Sequence, residues 1–145
     1  MDKKAENAHL STQNPPMMAP VDYNKIKEFL RKSARNHHLE TEVCATLQAL
    51  SWRITKVNTK IRRQNLHSYY HYDVLEVKRA DSLTSVFHLL LSEGNSIRVR
   101  EFSVILINSL ASEYLGRCYL LQRKDIIKTL INILFTEGNQ DTSLR

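Results

Sequence analysis

Apolar residues recur at helical spacing along this chain from Tyr23 onward, and one such run occurs twice. Asp81 to Asn95 reads DSLTSVFHLLLSEGN, and Asp125 to Asn139 reads DIIKTLINILFTEGN. The apolar pairs Leu83/Ile127, Val86/Leu130, Phe87/Ile131, Leu90/Leu134 and Leu91/Phe135 fall in register, and both runs close on Glu-Gly-Asn. The spacing predicts a helix in each copy, capped at its start by Asp81 or Ser82 in the first and ended by Gly94 and Gly138.

The same reading predicts further helices. Asp22 caps a first one bearing Tyr23, Ile26, Phe29 and Leu30, which looks like an earlier and weaker copy of the repeated helix. A second covers Leu39 to Arg53, with Val43, Leu47 and Leu50 on one face and Glu40 and Glu42 in the first turn, where the helix dipole favours acids. A third, more polar, runs from Asn58 to Tyr72. Ser96 caps a long helix from Ile97 to Ala111 that is apolar around most of its circumference, so it should be the most buried segment. Glu113 to Gln122 forms a short helix in which Gly116 lets a neighbour approach closely.

A helical period of about 40 residues marks a solenoid, and three helices per unit fit the armadillo pattern better than the two-helix HEAT pattern. The expected fold is all-α, a short armadillo-like right-handed helical solenoid over residues 21–145 behind a disordered tail, residues 1–20. That tail holds Pro15, Pro16 and Pro20, the only prolines of the chain, and lacks the apolar content to offset its ordering entropy. The first interval between repeated starts, Asp22 to Asp81, is longer than the second, Asp81 to Asp125, and the surplus coincides with a basic segment. Only the short stretch Thr136 to Arg145 follows Phe135, too little for another long helix. The array is therefore expected to stop mid-repeat, as in a fragment or shortened form, leaving Ile127, Leu130 and Leu134 open to self-association.

Length and composition agree with one modest domain: 145 residues, 42% hydrophobic. No run has the length of a membrane span and the N-terminus has no signal-peptide core, so a cytoplasmic protein is expected. Cys44 and Cys118 stand in helical patterns and read as packed thiols, not a disulfide. The net charge of +6 is local, because between Val43 and Tyr72 there are five basic residues and no acidic one.

If Arg53 to Arg63 is continuous helix, Arg53, Lys56, Lys60 and Arg63 line one face and could meet an acidic partner: nucleic acid, anionic lipid, or an acidic protein tail such as that of tubulin. The plain alternative is a solvated helix face. Tyr69, Tyr70 and Tyr72 read as packing residues before they read as base-stacking ones. His67 and His71 stand four apart without an HExxH glutamate, which leaves no metal site, and His37 and His38 read as a helix boundary. No phosphate loop, CxxC or GxSxG motif is present, so catalysis has no residues and no cofactor to work with.

Four segments, Asp22-Tyr-Asn-Lys-Ile-Lys, Leu47-Gln-Ala-Leu-Ser-Trp-Arg, Arg100-Glu-Phe-Ser-Val-Ile-Leu-Ile-Asn-Ser-Leu-Ala-Ser and Leu115-Gly-Arg-Cys-Tyr-Leu, resemble the start of the armadillo region in the family of armadillo repeat-containing protein nine. These are LisH-domain proteins of the cilium and basal body. The resemblance implies a non-enzymatic scaffold at the basal body or centriole, acting in ciliary assembly, stability or signalling with tubulin or microtubule-associated ciliary proteins as partners. Asn108-Ser109-Leu110 inverts the Ser-Asn-Leu order of peptide-binding armadillo grooves, so importin-like capture of extended peptides is not expected. A helical nucleic-acid-binding module using residues 53–63 is the alternative.

Overall fold

The computed structural model describes residues 21–79, 83–123 and 125–140, without the side chains at 133, 134 and 136–140. The expected tail, the capping positions Asp81 and Ser82 and the side chain of Leu134 lie outside what is described. Among the described residues there are seven α-helices and no strand: α1 (Tyr23–Ser33), α2 (Glu40–Thr55), α3 (Thr59–Tyr72), α4 (Val86–Leu91), α5 (Ile97–Ala111), α6 (Tyr114–Leu120) and α7 (Ile126–Gln140). Short 3-10 turns, His37–Leu39 and Val77–Arg79, precede α2 and α4.

Caps set most of the helix starts. The side chains of Asp22, Asn58 and Ser96 accept the N–H groups of Lys25 (3.1 Å), Ile61 (2.9 Å) and Val99 (3.1 Å), which removes one orphan donor from each first turn. The packing that follows is ordered. α1 lies on α4, α2 on α5 and α3 on α6, and within each trio the central helix touches its neighbours. The α2–α5 pair is the most extensive. Their buried positions share one spacing, Val43, Leu47, Leu50 and Ile54 against Val99, Ser103, Leu106 and Leu110, so the long helix also recurs.

Four expectations are corrected by the structure. The first copy of the repeated run does not form a full-length helix: α4 has six residues, begins after Ser85, whose hydroxyl accepts the His88 N–H at 3.3 Å, and ends in an extended Ser92. Gly94 is not its cap, because the Asn95 side-chain amide donates to the Leu89 carbonyl at 2.9 Å instead. Gly138 does not end the second copy either, as α7 continues to Gln140.

The fourth correction concerns burial. α5 keeps Ile97 and Ile105 exposed and Phe102 only partly covered, whereas α2 buries six residues along its length. Phe102→Ala is therefore expected to cost about 1–3 kcal/mol, below the ~3–5 of a fully buried phenylalanine, while Leu47→Ala should cost about 2–5 kcal/mol. Urea unfolding of the two variants at equal slope checks the order.

The connector between the units is held by two carboxylates. Asp73 ends α3 in the left-handed region, at φ 50°, and its side chain accepts the Val77 N–H (2.8 Å) and the Tyr119 hydroxyl (2.7 Å). The same hydroxyl accepts the Leu75 N–H at 2.9 Å, so α6 is bolted to the end of α3. Burial pushes the Tyr119 phenol well up, and the Asp73 charge adds to that. Glu76 is buried and accepts the Val86 N–H at 2.8 Å, while ion-paired to Arg31 of α1 and, at 3.1 Å, to Arg79. Burial alone would raise its carboxyl, but the Arg31 hydrogen bond, the Val86 N–H and both guanidinium charges outweigh it and hold the carboxyl below its ordinary range.

Candidate interaction surface

The basic segment does not form one helix. α2 ends at Thr55 and α3 begins at Thr59, with Lys56 closing the first and Asn58 capping the second. The break has a physical cause in two side chains of α3. Arg62 donates to the carbonyls of Ile54 (2.7 Å) and Val57 (3.0 Å), and Asn65 donates to the carbonyl of Arg53 (2.7 Å). These satisfy two carbonyls in the last turn of α2 and one in the linker, so the chain turns there.

The break sorts the four predicted residues. Arg53 is drawn inward, with its guanidinium 3.3 Å from the Asn65 side-chain oxygen, beside a fully buried Tyr69 whose hydroxyl donates to the Leu50 carbonyl at 2.7 Å. Burial pushes the Tyr69 phenol far up, with the Tyr23 ring adding to it and Arg53 opposing. Lys56, Lys60 and Arg63 remain exposed around the α2–α3 corner. Lys56 lies 5.6 Å over the ring of Trp52, itself exposed, a cation–π contact that orients the ammonium outward.

Beside this corner a cleft of about 340 Å³ opens between α3 and α6, lined by Thr59, Arg62, Arg63 and His67 on one side and Glu113 and Tyr114 on the other. Tyr114 is among the most exposed aromatic side chains described. Of the four predicted residues only Arg63 reaches this cleft. The cleft, Trp52 and Tyr114 went unread because they arise from the stacking of α3 on α6, which no local pattern encodes. Arg62 gave a signal, in that a cation two turns beyond Ile54 can reach back to the end of a preceding helix.

The remaining candidates take structural places. Tyr69 packs edge-on to Tyr23 at 5.6 Å, Tyr72 stacks on Tyr23 at 5.5 Å, and Tyr70 packs against Tyr119 at 5.8 Å. His37 and His38 form the turn before α2. Cys44 is buried, which raises its thiol, and Cys118 is half-buried; both are free. Among the described residues no cluster of three or more His, Cys, Asp or Glu could hold a metal ion, and no helix is long and apolar enough to cross a membrane.

The chain is homologous to a short segment of the LisH domain-containing protein ARMC9. It is 32% identical to that protein of Danio rerio over 141 residues, covering 94% of this chain and 16% of the relative. Against the protein of Xenopus laevis it is 30% identical over 129 residues, covering 88% and 15%, and against that of Homo sapiens 30% over 128 residues, covering 88% and 15%. The chain thus spans about one-sixth of the length of these relatives. No family model matches the chain, and no solved structure matches it.

Proposed function

We propose that this chain is a non-enzymatic protein-interaction module with an ARMC9-like role, an armadillo-like solenoid segment acting at the ciliary basal body or centriole in ciliary assembly, stability or signalling. The observation that carries the solenoid reading is the ordered stacking of α1 on α4, α2 on α5 and α3 on α6, because a solenoid is a unit that contacts its copy in register. The ciliary placement rests on the homology and on the family resemblance of the segments around Asp22, Leu47, Arg100 and Leu115.

The contact surface in this reading is the α2–α3 corner with the adjoining cleft. Lys56, Lys60 and Arg63 give a positive edge, and Trp52 and Tyr114 give exposed aromatic area of the kind that anchors interfaces. Its partner is an acidic protein surface such as a tubulin tail. Arg53 is not part of the contact, since its guanidinium is engaged with Asn65.

The test is microtubule co-sedimentation of the whole chain against a Lys56→Glu, Lys60→Glu, Arg63→Glu variant, with circular dichroism as the control for folding. Affinity should fall at least about tenfold while the helical signal stays unchanged. Equal sedimentation of the two proteins would remove the corner from the reading. Binding to RNA or DNA with a steep loss in salt, and none to tubulin, would favour the nucleic-acid alternative at residues 53–63.

A further inference from the structure

We propose that the cleft between α3 and α6 captures the free C-terminus of an acidic protein tail whose last residue is aromatic. This deepens the reading of the α2–α3 corner as a surface for an acidic partner, and it rests on that reading. What it adds is that the site recognises an end.

The cleft has the make-up of a seat for one residue. Its volume of about 340 Å³ is at the small end of ligand sites, which run from about 300 to 1,000 Å³. Leu66, 3% exposed, and the partly buried Leu115 give it an apolar lining, and Tyr114, 71% exposed, stands at its wall. An aromatic ring set between the leucines and Tyr114 buries apolar area and meets another ring. A glutamate side chain in the same place would lose hydration against the leucines. The residue that enters therefore differs from the acidic ones before it.

The charges show why the tail stops there. Lys60 is the neighbour of Arg63 one turn back on α3, and Lys56 stands at the corner before it, so exposed cations lead to the cleft at Arg63. Arg62, held by the carbonyls of Ile54 and Val57, and His67 belong to the same wall. Across the cleft stands Glu113, which begins α6 without a capping hydrogen bond from its side chain. An acidic chain running on through the cleft would bring its next carboxylates against Glu113, a like-charge juxtaposition that excludes it. A chain that ends places its terminal carboxylate beside Arg63, whose planar donor fork matches it. Capture of a terminal carboxylate is a recurring mode of peptide recognition.

The probes are three peptides labelled at the N-terminus and titrated with the whole chain by fluorescence anisotropy. One is Glu-Glu-Glu-Glu-Glu-Tyr with a free carboxylate, the second is its C-terminal amide, and the third is the same peptide extended by Gly-Ser-Gly, which keeps the charge but moves the carboxylate away. The free peptide should bind at least about tenfold more tightly than the other two. Arg63→Gln and, independently, Tyr114→Ser should remove that preference with the helical signal unchanged, and Glu113→Gln should admit the extended peptide. No binding of the free peptide overturns the proposal, as does a preference that survives both Arg63→Gln and Tyr114→Ser. Equal binding of all three peptides, weakened equally by Lys56→Glu with Lys60→Glu, would leave the corner standing and overturn capture of an end. A preference for the free end in a chain that does not sediment with microtubules would uphold the capture and remove tubulin as its partner.

Discussion

Gly116→Ala should separate α6 from α5 and be far more damaging than the same change at Gly94, around which a Cβ meets nothing within 4 Å. A Cβ at this position would stand 1.9 Å from the Leu110 carbonyl oxygen, 2.6 Å from its carbon and 2.8 Å from its Cα. All three atoms are backbone, so no side chain can swing aside. Overpacking of a well-filled site costs about 1–3 kcal/mol when neighbours can adjust, and here relief requires moving the end of α5, whose Leu110 is fully buried against the core. A loss of about 3 kcal/mol or more is expected by denaturant unfolding. The damage should spread to the connector, because Tyr119 on α6 carries the hydroxyl that binds Asp73 and Leu75. A near-neutral result would mean that the α5–α6 turn is wider than described.

Glu76 should make the joint between the units sensitive to acid. Its folded carboxyl is held below the ordinary value of 4.5, so its contribution is fully present above pH 4.5 and is lost as pH falls through the folded value. Glu76→Gln should therefore lower stability at pH 7 and flatten the acid limb of the stability curve. Arg31 and Arg79 are partly exposed and can be hydrated when the carboxylate goes, so the loss at pH 7 is about 1–3 kcal/mol, not the larger figure of a fully buried pair. Denaturant midpoints of both proteins from pH 7 to pH 3 provide the check. Parallel curves would show that Glu76 does not govern the acid limb.

Two helix starts were legible because a cap is local. Asp22 and Ser96 each sit beside the N–H they satisfy, and the long helix runs from Ile97 to Ala111 as expected, whereas the start of α4 was not legible, because its cap is Ser85. Contacts across the sequence were not legible. The shortening of α4 involves Glu76, well upstream, taking the first N–H of the helix, while the matching pattern in α7 extends through Gly138. At the basic corner the charges were visible, but their sorting was not. Whether Arg53 turns outward or inward depends on Asn65, and the cleft depends on the meeting of α3 and α6, which α4 and α5 separate along the chain.

The pairing of α2 with α5 has a consequence for synthesis. The stripe Val43, Leu47, Leu50 and Ile54 has no cover until Val99, Ser103, Leu106 and Leu110 leave the ribosome. At translation speeds of ~5–20 residues per second, the intervening stretch of about 55 residues takes roughly 3–11 s. That is long against the microseconds in which α2 itself can form. During that interval the nascent chain carries this aliphatic edge without its α5 cover, and slower synthesis between Leu91 and Ser96 would prolong the interval.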